Sequence, residues 1–159
     1  MDFYIERKLE NGDILLEKKT YSQLEYQRED QPNGNILLHR IICVRDRSEL
    51  KQYEFKSSVI VSCMINGADF DQLNYSNILQ KVYHQIDDGA AIIKKTTINI
   101  KTVEKTDSGF TFLPKLGISF QRNDSTKTLL EIMTQCLENA VKLKMKINLT
   151  TGEQLTVIV

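Results

Sequence analysis

Histidine is scarce in this chain: His39 and His84 are the only two among 159 residues. His39 sits in the apolar run ILLHRII and His84 follows Tyr83 in a helical pattern. Neither has a serine, a cysteine and an acid around it in a recognisable triad frame. His39 and Cys43, four residues apart, share one face of a strand but have no acid in register. Cysteine is nearly as rare, with Cys43, Cys63 and Cys136 each inside an apolar run. No CxxC or CxxxH spacing occurs, which excludes the usual zinc frames. Three scattered thiols read as buried free cysteines in a reducing compartment. There is no G-x-S-x-G, no phosphate-cradling glycine loop and no H-E-x-x-H. These absences leave no cofactor to expect.

Long hydrophobic runs are missing too. No stretch approaches the roughly 18–20 apolar residues of a membrane span. The opening MDFYIERKLENGD carries no apolar signal core. The expectation is a cytoplasmic protein with no membrane contact. Nor is there an excess of one charge, since 21 Lys+Arg balance 21 Asp+Glu. The two signs are unevenly spread, however: residues 1–89 carry a net of −4 and residues 90–159 a net of +4. That split permits a basic face on the C-terminal part, or complementary self-association. It falls short of the basic excess of a dedicated nucleic-acid binder.

What is present suits an ordinary globular chain, 41% hydrophobic and 26% charged. The length fits a single domain over 1–159, made of a β-meander over 1–50 and an α+β core over 53–159. In the first part FYIERKL leads into Asn11-Gly12, a pair that favours a two-residue hairpin turn. The run ILLEKKTYSQLEYQRE follows as one long bent strand or two short ones. Pro32 and Asn33-Gly34 then signal a second hairpin before ILLHRIICVRDR.

In the core part, Tyr53, Phe55, Val59, Val61, Cys63 and Ile65 share one parity and predict one buried strand face. NGADFDQLNY reads as a linker to a helix over 75–87, with Ile78, Leu79, Val82, Tyr83 and Ile86 at helical spacing. Asn74 or Ser76 would cap it and Gly89 would close it. AAIIKKTTINIKTVEK (90–105) is rich in β-branched residues and predicts a strand. TDSG returns it into FTFLPKLGISFQ, where Pro114 and Gly117 mark a bulge or bend. A second helix is capped by Asp124 or Ser125. Its buried stripe is Leu129, Leu130, Met133, Cys136, Leu137, Ala140 and Val141. MKINLTTGEQLTVIV closes the chain as a hairpin. The order over 53–149 is the βαββαβ order of ferredoxin-like folds. The expected class is α+β: an antiparallel sheet with two helices on one face, preceded by the meander and followed by a C-terminal strand.

Three constellations merit a chemical reading. SGFTFLPK resembles the octapeptide of RNA-recognition-motif domains, which places basic, glycine, aromatic, small, aromatic, aliphatic, any and aromatic residues in order. Gly109, Phe110, Phe112 and Leu113 match, whereas Ser108 and Lys115 depart and Pro114 interrupts the strand. The resemblance implies base stacking on Phe110 and Phe112, helped by Lys115 and by Lys144 and Lys146 of the last hairpin. The corresponding first-strand segment, VIVSCMING, supplies no aromatic ring. Glu54-Phe55-Lys56 resembles the acidic-any-lysine element of a class of metal-dependent nucleases. That resemblance implies magnesium on Glu54 and an upstream Asp46 or Asp30, with Lys56 at the phosphate. Glu49-Leu50-Lys51 repeats the pattern just upstream, so it comes cheaply. Asp69 and Asp71 before the first helix, and Asp87 and Asp88 after it, are a third set, able to hold a cation or simply to shape polar turns.

Reactive residues are thus thinly spread, and apolar ones fall on core faces. The expectation is a non-catalytic binding or assembly protein that works through sheet edges and surface, as a homo-oligomer or with a protein partner. EQLTVIV would be a buried final strand or a donated edge. The alternatives are nucleic-acid binding through the lysine and phenylalanine face, a small-ligand cavity, or a nuclease.

Overall fold

The computed structural model describes residues 1–21 and 26–159. Residues 22–25, within the run read as one bent strand or two short ones, lie outside the described residues. The chain forms two compact units, Met1–Ile42 and Cys43–Val159.

The first unit consists of two antiparallel hairpins. β1 (Asp2–Lys8) pairs with β2 (Ile14–Thr20), and β3 (Tyr26–Asp30) with β4 (Ile36–Val44), whose last two residues belong to the second unit. Both turns differ from the expected two-residue form. Gly12 N–H donates to the Leu9 carbonyl at 3.0 Å and Leu9 N–H to Asp13 at 2.8 Å; Gly34 and Gln31 repeat the pattern. Gly12 (φ 90°) and Gly34 (φ 83°) occupy the left-handed region, while the asparagines before them do not. This is a type I turn closed by a glycine bulge, in which only the glycine needs positive φ. Phe3 meets Tyr21 at 5.7 Å and Tyr21 meets Tyr26 edge-on at 5.4 Å. No described residue of Met1–Ile42 is buried.

The second unit holds the whole buried apolar core, from Val44 to Val157. A 3-10 helix (Arg47–Gln52) leads to β5 (Val59–Ile65) and the two-residue β6 (Ala68–Asp69). Helices α1 (Tyr75–Ile86) and α2 (Gly89–Lys95) follow, then β7 (Ile100–Lys101), β8 (Phe110–Leu113) and β9 (Ile118–Gln121). Helix α3 (Ser125–Glu138) precedes the hairpin β10 (Leu143–Asn148) and β11 (Gln154–Ile158). Within this unit the antiparallel order is β11-β10-β5-β6, and β7-β9-β8 form a separate sheet. The fold is mixed α+β, but its strands do not make the one sheet of a ferredoxin-like domain: FTFLPKLGISFQ folds into its own hairpin.

Several local readings are corrected. Pro114 and Gly117 are not a bend in one strand. They lie in the β8–β9 turn, where the Gly117 and Leu116 N–H groups both donate to the Leu113 carbonyl. Asn66-Gly67, read as linker, is the two-residue turn that joins β5 to β6, with both residues at positive φ. The register of β5 on β10 shifts after Ile60, so Ile60 is buried while Val59 and Val61 are exposed. A bulge thus breaks the single parity expected for this strand.

The segment 90–105 opens as a helix rather than a strand. Asp87, in the left-handed region (φ 53°), ends α1, and Asp88 accepts from the Ala90 and Ala91 N–H groups to start α2. Gly89 begins the new helix instead of closing the old one. A Cβ there would lie 2.7 Å from the Leu116 carbonyl oxygen. Asn74 caps α1 and Asp124 caps α3. α3 is buried from Glu131 through Cys136, polar residues included, while Leu137 of the expected stripe is 58% exposed.

Candidate functional site

The phenylalanines singled out above sit on β8. Phe110 is buried and Phe112 half-buried. They face the same way as Ser119 and Gln121, their partners on β9. Ser119, wholly buried, donates to the Val103 carbonyl at 2.7 Å and accepts from Lys105 N–H at 2.8 Å. The segment 103–105 therefore lies across this side of the hairpin, and Lys105 Nζ is 5.1 Å from the Phe110 ring centre. Exposed Lys115 is in the β8–β9 turn. Lys144 and Lys146 belong to β10, in the other sheet.

Asp46 is committed to the 3-10 helix. It accepts from Ser48 N–H, while Glu49 reciprocally accepts from Asp46 N–H. The hydrogen bonds from Ser48, main chain first, hold its carboxyl below the usual range. Glu54 and Lys56 are exposed in the loop before β5, not on a strand. Among the described residues, no group of three or more His, Cys, Asp or Glu converges in a way that could hold a metal ion. Asp69 and Asp71 are exposed, and Asp87 and Asp88 serve the helix ends.

Exposed His39 contacts Glu29 across the β3–β4 hairpin. His84 Nδ1 donates to the Gln80 carbonyl at 2.8 Å. Cys43 is exposed, against the expectation of three buried thiols. Burial pushes the Cys63 thiol up to about 11 and the Cys136 thiol to about 12, the latter also by proximity to Cys63. Buried and uncharged, neither is a nucleophile.

One polar constellation was not anticipated from sequence. Glu131 on α3 is fully buried. It accepts from Tyr83 Oη at 3.0 Å, Thr96 Oγ1 at 3.0 Å, Gln135 Nε2 at 2.9 Å, and Thr97 N–H and Oγ1 at 2.6 Å each. Burial, and next the Glu131 charge, push the Tyr83 hydroxyl far above its ordinary value. Every carboxylate lone pair is engaged, and the site is closed to solvent. It pins the Thr96–Thr97 loop to α3 and α1, which is a structural task. The sequence signal for it was present but weak: Glu131 and Gln135 stand one helical turn apart among the apolar residues of α3.

Tyr75, Leu79, Phe120 and Thr128 help line a cavity of about 60 Å³, room for no more than a few waters. Arg45, Arg47, Met133 and Leu137 border an open groove of about 300 Å³.

The surface feature that stands apart is the β1–β2 hairpin. Of its strand residues only Phe3 and Glu17 are even half-buried. Tyr4 (63% exposed), Ile14 and Leu16 share one face, and Ile5 and Leu15 stand on the other. Its charges largely satisfy one another: Lys18 bonds Asp2 at 3.2 Å, and Arg7 bonds Glu17. No further strand pairs with either side of this hairpin among the described residues. β11, expected from sequence as a buried final strand or a donated edge, is the first of these: it pairs with β10 and buries Leu155, Thr156 and Val157. No helix is long and apolar enough to cross a membrane. In comparisons with known proteins, no family model, no curated protein and no solved structure matches this chain.

Proposed function

We propose that this protein is a non-catalytic binding and assembly protein whose adhesive element is the β1–β2 hairpin. The observation that carries this reading is the hairpin's exposure. A two-stranded ribbon is marginal in water unless its apolar face is covered, and this one presents Tyr4, Ile5, Ile14, Leu15 and Leu16 to solvent. Contiguous exposed apolar residues of this kind mark interaction sites. Arg7 with Glu17 and Lys18 with Asp2 pair within the hairpin, and the exposed apolar side chains make a protein surface the fitting partner. Of the groups with displaced proton affinity in the second unit, Tyr83, Cys63 and Cys136 lie in its core and exposed Asp46 is spent on capping the 3-10 helix, which favours binding over catalysis. Three free thiols, one of them exposed, fit a reducing cytoplasm.

The test is site-specific photocrosslinking in cells. A photoreactive side chain at Leu16 should yield discrete protein adducts, and one at exposed Lys101 on β7 should not. A hairpin that yields no adduct from either face, probed at Leu16 and at Leu15, would sink the proposal.

A further inference from the structure

We infer that the occupant of the hairpin is a second copy of this chain, which adds its own β1 antiparallel to the outer edge of β1. This rests on reading the hairpin as adhesive and goes beyond it by naming the partner and the register.

Backbone direction decides which residues are available. The Met1 nitrogen donates to the Tyr21 carbonyl and Tyr21 N–H donates back to Met1, while Leu9 N–H donates to Asp13. Odd-numbered residues of β1 therefore spend their main-chain groups on β2. Asp2, Tyr4, Glu6 and Lys8 turn their N–H and C=O groups outward, where no strand meets them among the described residues. A twofold pairing must match outward residues with outward residues. The register that uses all of DFYIERK is centred on Ile5 and satisfies this. Tyr4 then lies opposite the second copy's Glu6, and Asp2 opposite the second copy's Lys8, each pair exchanging both N–H···O bonds.

The side chains agree with the backbone. Asp2 faces a lysine, Phe3 faces Arg7, and Ile5 meets itself on the axis. Lysine on a strand edge ordinarily repels a like edge; here each copy supplies Asp2, whose carboxylate receives its own Lys18 at 3.2 Å and, exposed at the strand edge, is shared with the second copy's Lys8. Shifting the axis to Tyr4 sets Asp2 against Glu6, and shifting it to Glu6 sets that residue against itself, both like-charge contacts that destabilise. β2 fails the same test. Its full-length register is centred on Glu17, which would face its own copy. The arrangement is isologous, the commonest form of homodimer. It converts two marginal ribbons into one four-stranded sheet with apolar residues on both faces.

The experiment uses the whole chain with Cys43→Ser as background, so that the exposed thiol does not interfere. Residues on the axis form a non-hydrogen-bonded pair with Cα atoms about 4.5 Å apart, within disulfide reach. Ile5→Cys should oxidise rapidly to a disulfide dimer, whereas Tyr4→Cys should not. Asp2→Lys and Lys8→Asp should each weaken dimerisation about tenfold in light scattering, and mixing the two should restore it as a heterodimer, because both end pairs are then of opposite sign. Glu6→Pro removes an outward N–H and no intramolecular one, so it should abolish dimers at concentrations where Glu6→Ala still forms them.

A chain that stays monomeric at about 100 µM while Leu16 still crosslinks to other proteins overturns self-pairing and leaves the adhesive hairpin standing. Loss of both results overturns both readings. A dimer indifferent to the Asp2 and Lys8 exchanges overturns the β1 register.

Discussion

The residue that does most for the second unit is Glu131. A buried carboxylate is costly unless its oxygens are fully engaged, and here donors come from α1, from α3 and from the loop after α2. Glu131→Ala should cost about 3–5 kcal/mol, because it orphans those donors. Tyr83→Phe removes one donor only and should cost about 1–2 kcal/mol. Chemical denaturation followed by circular dichroism separates the two. The same region sets an alkaline limit. Tyr83, Cys63 and Cys136 keep their protons in the fold, primarily because burial disfavours their anions. The unfolded chain releases those protons near the ordinary values of 9.0 and 10.0. Their contribution is intact below pH 9 and declines as pH rises through 9–11, by roughly 1 kcal/mol per pH unit for each group. Urea midpoints at pH 8, 9, 10 and 11 should show this decline, and Tyr83→Phe should flatten the part above pH 10. Little of this was legible in the sequence, where only the one-turn spacing of Glu131 and Gln135 signals it. Its role depends on a loop 34 residues away in sequence.

At the scale of elements, what local spacing decides was legible, and what tertiary context decides was not. Both long helices and the last hairpin follow from apolar periodicity and caps within one turn of their ends. α2 was misread because AAIIKK carries the β-branched residues of a strand. Asp88 as cap and the fit of Gly89 against the Leu116 carbonyl override that preference. Gly89→Ala is therefore a sharp probe. Alanine favours a helix by about 1 kcal/mol over glycine, yet a Cβ 2.7 Å from a carbonyl oxygen forces a shift. The variant should be destabilised by about 1–3 kcal/mol, and a stabilised Gly89→Ala would show that the contact relaxes freely. Turn chemistry was misjudged for a related reason. Asn-Gly suits both a two-residue turn and a type I turn with a glycine bulge, and the flanking strand register chooses between them. Of the candidate site residues, Asp46 was read from sequence only as an upstream magnesium ligand, and not as one arm of a capping box. Phe110 and Phe112 were placed correctly on a strand. Their cover, the 103–105 segment, comes from irregular chain that no periodicity announces.

On the scale of the whole molecule, burial is divided as sharply as sequence is. Among the described residues every buried apolar side chain lies at Val44 or beyond, and the hairpins of Met1–Ile42 contain none. A single two-state transition is not expected of such a chain. Amide exchange should be fast over 1–42 and slow in α3 and β10 under the same conditions. Equal protection of the two parts would contradict the division. The N-terminal strands were legible, but as a continuous meander rather than as two hairpins in separate sheets, and nothing in their composition distinguishes exposed leucines from buried ones; that required the fold.

A β ribbon without a core of its own has a further consequence. Its order is conferred by whatever covers it, so its melting point should climb with the logarithm of protein concentration while that of the remainder stays fixed. The amount of the chain present would then be read out as the fraction of ribbons that are folded, and dilution alone would return them to the unstructured state.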